Sequence, residues 1–600
     1  MRHRIITLVL GLMVGFVAKA QNDTVLFSLP GGFYDDVFSL ALSNTNPENY
    51  IRYTVNGNCP TAQSPVYVCP LTLDESKFSP SNIYTIVNTI PSQFYLAEDI
   101  KHAIVIRAAV FDSNNNCVSQ VVSNSYFIQS LGCDLHGLPV LSIMADSLSL
   151  FDYETGIFVP GINYNPADSI STGNYKMRGD EWERQINMEF YEPDNTGINQ
   201  TCGLRTHGGA SRWFQQKGMK LYAREEYGKK HFFFRFFPDS PIVKFKHLNL
   251  HAFRCSNWLQ TGGTDYLGQK VARNLRFDAM SVRETVVFIN GEYWGVYTLE
   301  ESPDERYLED HYNADLDSVT ILKYWGVPNY GDPSEWHAFY RWIKDADLTQ
   351  PEDSAFAFSH VDVPCLIDYM LMETFSANLD WPGNNVKISQ MKPGALFRWM
   401  FYDADGCFTR VDFQALQYAL DQAGSSIVMN RFLENKYFRF EFCKRYLELS
   451  ESVFSYDYMK AILEQYRQTV EGEVDAQSKR FGFPVSVGRW NYDMVLADDF
   501  LRQRDQFFRA ELEPYLDVEE HHPALVSCYP NPFTDEIRIG FNAEQAGTAE
   551  IGIYDVLGRK VFAESCHLLN GTNSITIRPK LSAGLYVLKI GNYTQRIVRL

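Results

Sequence analysis

Asp380 and Asn385 stand five positions apart in the stretch NLDWPGNN (378–385), with a Pro-Gly bend between them. A second acidic pair, Asp403 and Asp405, begins 23 residues after Asp380 in FRWMFYDADGCF. Phosphoryl transfer from ATP needs a carboxylate to orient the attacking hydroxyl, an amide oxygen nearby to hold a metal, and an Asp on the metals that bridge the phosphates. Asp380, Asn385 and Asp403 have the types and spacing for those three roles. Asp405 flanks Ala404 together with Asp403, and on a strand the two carboxylates would point the same way and share a metal. Upstream, Gly208-Gly209 in LRTHGGASRWFQQKGMKLYAREE lets backbone N–H groups approach phosphate oxygens. Lys217 and Lys220 follow it, and either could supply the cation that such phosphates want. Taken singly, each feature also fits something plainer: a surface turn, a polar hairpin, a solvated lysine.

The elements around these residues decide whether they meet. In LIDYMLMETFSA, the residues Leu366, Ile367, Met370 and Phe375 fall near helical spacing, which predicts a helix that stops just before Asn378. Asp380-Trp381-Pro382-Gly383 then turns the chain, and VKIS after Asn385 starts a short strand. The interval up to Asp403 has room for one β-hairpin. On a wider scale, strand-like runs come first (VKFKHLNLHAF, ETVVFINGEYWGVYTLEE). Helical runs follow in SSIVMNRFLENKYFRFEFCKRYLELSESVF and NYDMVLADDFLRQRDQFFRAELEPYL. That order predicts a small β-lobe and a larger α-lobe, with a ligand cleft between them.

Six hundred residues exceed what one core holds, so several domains are expected. The chain opens with MRHRIITLVLGLMVGFVAKA, a basic start, an apolar run and a small-x-small end. This is a signal-peptide pattern over 1–20, with cleavage before Gln21. The formal charge is −19, and loss of Arg2, Arg4 and Lys19 takes it to near −22. No basic stripe offers a nucleic-acid surface. No other segment is apolar enough for a membrane span once the signal is cleaved. Residues 21–130 read as strands (YIRYTVNG, SPVYVCPLTL, HAIVIRAAVF, SQVVSNSYFI) and predict a β-sandwich. Cys59 and Cys69 are the best local candidates for a disulfide in an exported chain, while His521-His522 reads as a solvated linker pair.

Three resemblances follow from these residues. The run IRYTVNG to VVSNSYFI resembles the small sandwich of chitobiases and hexosaminidases. YPNPFTDEIRI, AEIGIYDVLGRKV and LSAGLYVLKIGNYTQRIVRL resemble the C-terminal sorting domain of the type IX secretion system over 527–600, after a linker at 516–526. The matching positions are Tyr529-Pro530-Asn531-Pro532, Asp555 with Gly558-Arg559, and Gly584 with Tyr586. Between them, over 137–515, LRTHGGASR, QKGMKLYAREEYG, NGEYWGVYTLEE, NLDWPGNN and FRWMFYDADG occur in the order of the CotH (spore coat protein H) kinases.

The CotH resemblance implies an atypical two-lobed α+β protein-kinase-like domain, flanked here by β-sandwiches in a multidomain chain. It implies transfer of phosphate from ATP to Ser or Thr hydroxyls of a protein substrate, with Mg2+ or Mn2+. Asp380 would be the base, Asn385, Asp403 and Asp405 the metal ligands. Gly208, Gly209 and Lys217 or Lys220 would lie on the nucleotide's phosphates, and Glu300 and Glu301 near the adenine. Asp265, in TDYLGQKVARNL, would pair with the cleft lysine or sit as a surface acid at a helix start. Two positions depart: Asn378-Leu379 stands where ordinary kinases have His-Arg, and Gly218-Met219 where the family usually has Ser and a basic residue. The sorting resemblance implies export through the periplasm by the type IX machinery, to the outer-membrane surface or the medium. The alternative class is a non-catalytic surface adhesin, with sugar binding through the N-terminal sandwich.

Overall fold

The computed structural model describes residues 23–79, 100–254, 259–422, 424–516, 527–529, 531, 533–543, 546–555, 559–590 and 593–599. The signal segment 1–20, His521-His522, most of the 516–526 linker, and Pro530, Pro532 and Gly558 lie outside these residues. Packing divides the chain into two units. The first runs to Arg341 and adds Phe358–Ser425 and Leu449–Phe508. The second comprises Trp342–Ala357, Ser426–Glu448 and the chain from Arg509 onward. Among the described residues no helix is long and apolar enough to cross a membrane.

Alternating apolar residues in the first unit close a seven-stranded barrel. Around it run Arg184–Tyr191, Gly197–His207, Gly218–Tyr222, His247–Ala252, Glu292–Glu301, Val282–Ile289 and Val140–Met144. Every pairing is antiparallel except Val282–Ile289 with Val140–Met144. The hairpin in ETVVFINGEYWGVYTLEE turns at Asn290-Gly291, whose φ angles of 50° and 85° suit the tight turn that matches strand twist. Leu204, Met219, Leu221, Leu248, Leu250 and Leu299 are all buried in one core. The alternate positions of the same strands therefore face outward.

A second sheet of five strands carries the loops of interest. Its order is Asp278–Ala279, Arg398–Phe401, Lys387–Gln390, Thr320–Lys323 and Val327–Tyr330. Behind it lies the helix Val363–Phe375, almost wholly buried, which is why its sequence is apolar on nearly every side. The predicted helix stop, turn and hairpin are all present. The helix ends at Phe375, and Lys387–Gln390 pairs antiparallel with Arg398–Phe401.

The N-terminal domain contributes a four-stranded sheet, Gly32–Tyr34, Val122–Ile128, Ile104–Phe111 and Tyr50–Thr54, with two short two-stranded pieces. All eight residues of Ile104–Phe111 are buried. One face meets the sandwich core. Beside it Ala103 and Phe127 share a core with Val140, Val286, Phe288 and Tyr293 of the barrel domain. Lys101 also pairs with the buried Glu473 at 2.7 Å. SPVYVCPLTL is a strand only at Leu71–Leu73, because Pro65 and Pro70 remove the N–H groups a longer ladder would need. The expected Cys59–Cys69 bridge is absent: both thiols are free. Cys59 is held by a 2.7 Å hydrogen bond from its N–H to Asp146, while Cys69 is exposed.

In the second unit, residues from Ser527 form a three-stranded and a four-stranded sheet around Phe533, Ile539, Ile553, Leu588 and Ile597. The motif residues have evident tasks there. Asn531 donates to Arg596 O and accepts from Val598 N, each at 2.9 Å, pinning the last strand. Asp555 accepts from Arg559 N and Nε at 3.0 and 2.7 Å.

Candidate active site

Strand alternation sorts the two lysines left open by the sequence. Lys220 pairs with Asn249, and Asn249 with Glu300, so these three lie in one row on the outer face of the barrel. Lys217 lies just before the strand Gly218–Tyr222 and turns elsewhere. Its buried ammonium donates to Arg212 O and Phe214 O at 3.0 and 2.8 Å and sits 4.3 Å from the Tyr175 ring. Burial pushes its pKa well down. Lys220 instead reaches Ser302 Oγ at 2.6 Å and Asp304 Oδ2 at 2.8 Å. Burial pulls its pKa down, but Asp304 and Tyr222 outweigh burial, and the net shift is upward. Of the two lysines it is Lys220 that lies on the outer face of the barrel, and its carboxylate partner is Asp304 rather than Asp265.

The end of the Val363–Phe375 helix sets the loop that follows. Its last carbonyls, on Thr374 and Phe375, accept from the buried Arg504 guanidinium at 2.8 Å each. The same guanidinium bonds Val411 O and Phe413 O at 2.7 and 3.0 Å. Arg504 thus satisfies orphan carbonyls with a cation at the negative end of the helix dipole. Arg504→Met strands these carbonyls, and urea unfolding is expected to show a loss of about 3 kcal/mol; an unchanged midpoint would contradict this role. Beyond the helix, Asn378 donates to Glu373 Oε2 at 2.7 Å and accepts from Asp380 N at 3.1 Å. The residue replacing the usual His is thus the brace of the loop.

This brace brings Asp380 against the second acidic segment. Leu379 N donates to Gly406 O at 3.2 Å and Phe408 N to Ser376 O at 2.7 Å, so the two loops run side by side. A Cβ on Gly406 would come within 2.8 Å of Asn378 Oδ1 and 3.3 Å of Asp380 N, so the close approach requires glycine. Asn385 Nδ2 donates to Asp403 O at 3.2 Å, and Ala404 N to Asp265 Oδ1 at 2.7 Å. Asp403 and Asp405 do not share a strand as expected. The strand ends at Phe401, and Asp403 takes a left-handed φ of 61°, as Asn385 does at 55°. Such backbone is uncommon for non-glycine residues and is kept only where surroundings enforce it.

The carboxylates then crowd. Burial and then Asp405 raise the Asp403 pKa to about 7, with Asp265 and Asp380 adding to the effect and His251 opposing it. Burial and Asp405 also raise Asp380. Glu300 is pushed well up by burial, with Asp265 and Asp403 adding and His251 opposing. His251 lies between these acids: Nε2 is 3.0 and 3.2 Å from the Asp405 oxygens, and Nδ1 is 3.3 Å from Glu300 Oε1. Glu300 Oε1 and Asp265 Oδ2 accept from no other donor, and the two carboxyl groups lie within hydrogen-bonding reach of each other, which adds to the rise at Glu300.

The structure thus gathers Asp380, Asn385, Asp403, Asp405, Asp265 and Glu300. It does not bring Lys217 or Glu301 to them. Glu301 faces away, bonding Ser281 N at 2.9 Å and His311 at 2.7 Å. Gly208, at φ 102°, and Gly209 form the turn after Gly197–His207, and a Cβ on Gly209 would meet open space. Sequence reasoning missed His251, Asp304 and Lys387. The period of two in HLNLHA places His247, Asn249 and His251 on one face of an otherwise apolar strand, a signal that was there to read. Lys387 is buried, donates to Pro303 O, and has its pKa lowered to about 7 by burial and neighbouring lysines.

The donor set is compatible with a divalent cation. Among the described residues no three carboxylate, imidazole or thiolate groups form a cage for one. Mg2+, however, is ordinarily held by one or two carboxylates and by substrate phosphates, not by a protein cage. The Asp265 and Glu300 carboxyls face each other without a cation between them, beside acids raised by mutual repulsion, and this fits a site short of positive charge.

Comparison with known proteins bears on this geometry. Residues 29–123 match the chitobiase/beta-hexosaminidase C-terminal domain, and residues 527–599 the secretion system C-terminal sorting domain. No curated protein matches the chain. Two crystal structures are similar in part. The Helicobacter pylori proinflammatory kinase CtkA is 7% identical over 52% of this chain and 94% of its own, with a TM-score of 0.22. The Golgi casein kinase is 9% identical over 54% and 70%, with a TM-score of 0.21. Residues 204–508, just over half of the chain and including Asp380, Asn385, Asp403 and Lys220, match the CotH kinase protein model, and the chain belongs to that family.

Proposed function

We propose that this protein is an exported, divalent-metal-dependent protein kinase that transfers phosphate from ATP to Ser or Thr hydroxyls. The observation that carries the reading is the meeting of Asp380 with Asn385 and Asp403, held by Asn378, Gly406 and the Asn385–Asp403 contact. Asp380 Oδ accepts the proton of the attacking hydroxyl. Its raised pKa, from burial and Asp405, makes it a stronger base than an exposed Asp. Asn385 and Asp403 would hold the cation, with Asp405 adding negative charge while its oxygens face His251. The cation, when bound, neutralises charge developing on the transferred phosphoryl group. Lys220, oriented by Asp304, contacts the phosphates from the barrel side, with the Gly208-Gly209 turn on the same lobe.

The matched sorting domain supports passage through the type IX machinery to the cell surface or medium. The test is transfer of labelled phosphate from ATP to protein by the full chain with Mg2+ or Mn2+. EDTA is expected to abolish transfer. Asp403→Asn is expected to raise the metal concentration for half-maximal transfer at least about tenfold. Wild-type protein that neither binds ATP nor transfers phosphate would favour a partner-binding surface protein instead.

A further inference from the structure

Lys323 and Lys387 stand directly opposite each other across the antiparallel strands Thr320–Lys323 and Lys387–Gln390. Residues so paired share one face with Cβ atoms about 5 Å apart, and like charges there are destabilising. Lys387 is only 6% exposed. Its ammonium donates to one carbonyl, Pro303 O, and lies 4.6 Å from the Tyr402 ring. Among the described residues, neither lysine forms an ion pair. A third ammonium arrives from the barrel. Lys220 binds Ser302 Oγ and Asp304 Oδ2, the residues on either side of Pro303, so Lys220 and Lys387 converge on one three-residue segment from different sheets. Two neighbouring carboxylates, Asp304 and Glu305, act on Lys220 and Lys387, and Asp304 already accepts from Lys220, Ser302 and His247.

The place of this cluster matters. Lys387 lies two residues after Asn385 and is paired with Met400, three residues before Asp403. Acids and two lysines without a direct ion pair thus occupy the same end of one sheet. Lys387 is buried and Lys323 half-buried, and a like-charge pair so placed is costly unless an opposite charge, such as an anionic ligand, offsets it.

We infer that Lys323 and Lys387 are a phosphate-binding pair which, with Lys220, holds the polyphosphate tail of a nucleoside triphosphate. Three ammonium groups from two sheets match an extended polyanion better than a single phosphate. The identity of the ligand as a nucleotide rests on the kinase reading; the anion site itself does not.

The test uses the full chain and two probes, inorganic tripolyphosphate and ATP without added metal, read by ligand-induced shift of the melting temperature and by calorimetry. Lys323→Gln and Lys387→Gln are each expected to weaken tripolyphosphate and ATP binding by about tenfold, the loss of one charge-assisted contact. Lys323→Gln, which relieves the repulsion, is expected to melt without ligand no lower than wild type. Lys392→Gln, on the exposed hairpin loop, should bind as wild type does. Wild-type affinity for tripolyphosphate in both variants, or no tripolyphosphate binding by wild type, overturns the proposal. Phosphoryl transfer by wild type combined with unchanged tripolyphosphate affinity in the variants sinks the lysine pair alone. Loss of binding in the variants, with no transfer by wild type, leaves the anion site standing and sinks the kinase reading.

Discussion

Asp380→Asn is expected to lower phosphoryl transfer by about 10²- to 10⁴-fold while ATP affinity stays within a factor of about two of wild type. The substitution keeps the size of the side chain and removes only its ability to take a proton. The backbone that carries residue 380 is fixed independently of that side chain. Asn378 Oδ1 holds its N–H, Asn384 N bonds its carbonyl at 2.9 Å, and Gly406 packs against it. The loop should therefore keep its shape, and the kinetic loss should fall on kcat. Removing the carboxylate also removes one of the like charges that raise Asp403, which favours its ionised form, so a weaker hold on metal would not account for the loss. The informative measurement is single-turnover transfer at saturating ATP and metal. Transfer at the wild-type rate would move the base elsewhere. A parallel collapse of ATP binding would instead assign Asp380 to nucleotide binding.

Much of this site was legible because its residues lie close in sequence. Helix, turn and hairpin around 363–403 follow from local pattern alone: apolar spacing, Pro382-Gly383, and two short strand runs. The Asp380–Asn385–Asp403 constellation could be read from that string. What stayed hidden depends on the partner strand. Lys220 lies in a barrel strand and Lys217 just before it, which composition and spacing do not display without knowing where that strand begins. Asp304 meets Lys220 across 84 residues, through a strand end and a helix cap. Lys323 and Lys387 become neighbours only once the five-stranded sheet fixes its register. The strand expected to align Asp403 with Asp405 fails because the chain leaves the sheet at Phe401 and turns left-handed at Asp403. Local rules place the turn well and its side chains poorly.

Asp304→Asn is expected to reduce the unfolding free energy by about 3–5 kcal/mol near neutral pH, the usual effect of removing one partner from a buried ion pair. Asp304 and Lys220 side chains are 11% and 12% exposed and lie 2.8 Å apart, so solvent screens them little. Asn at this position still offers an oxygen to Arg306 N, the cap now made by Asp304 Oδ1 at 3.0 Å. The loss is therefore electrostatic and not a failed helix start. Burial alone would raise the Asp304 pKa, but Lys220 and His247 outweigh it and hold it well below the ordinary carboxylate value. A carboxyl depressed in the folded state contributes stability that is present above its unfolded pKa, about 3.9, and is lost as pH falls toward the folded value. The gap between wild type and Asp304→Asn should accordingly be full at neutral pH and narrow steadily below about pH 4. Chemical denaturation at several pH values reads both parts. A gap under about 1 kcal/mol at pH 7 would make the pair no more than a surface contact. A large gap that does not change with pH would mean that shape, not charge, is what residue 304 supplies. In the variant, the Lys220 ammonium is left buried without its counter-charge and is driven toward the neutral form. The KM for ATP should then rise together with the loss of stability, which ties the strand-end carboxylate to the cation that meets the phosphates.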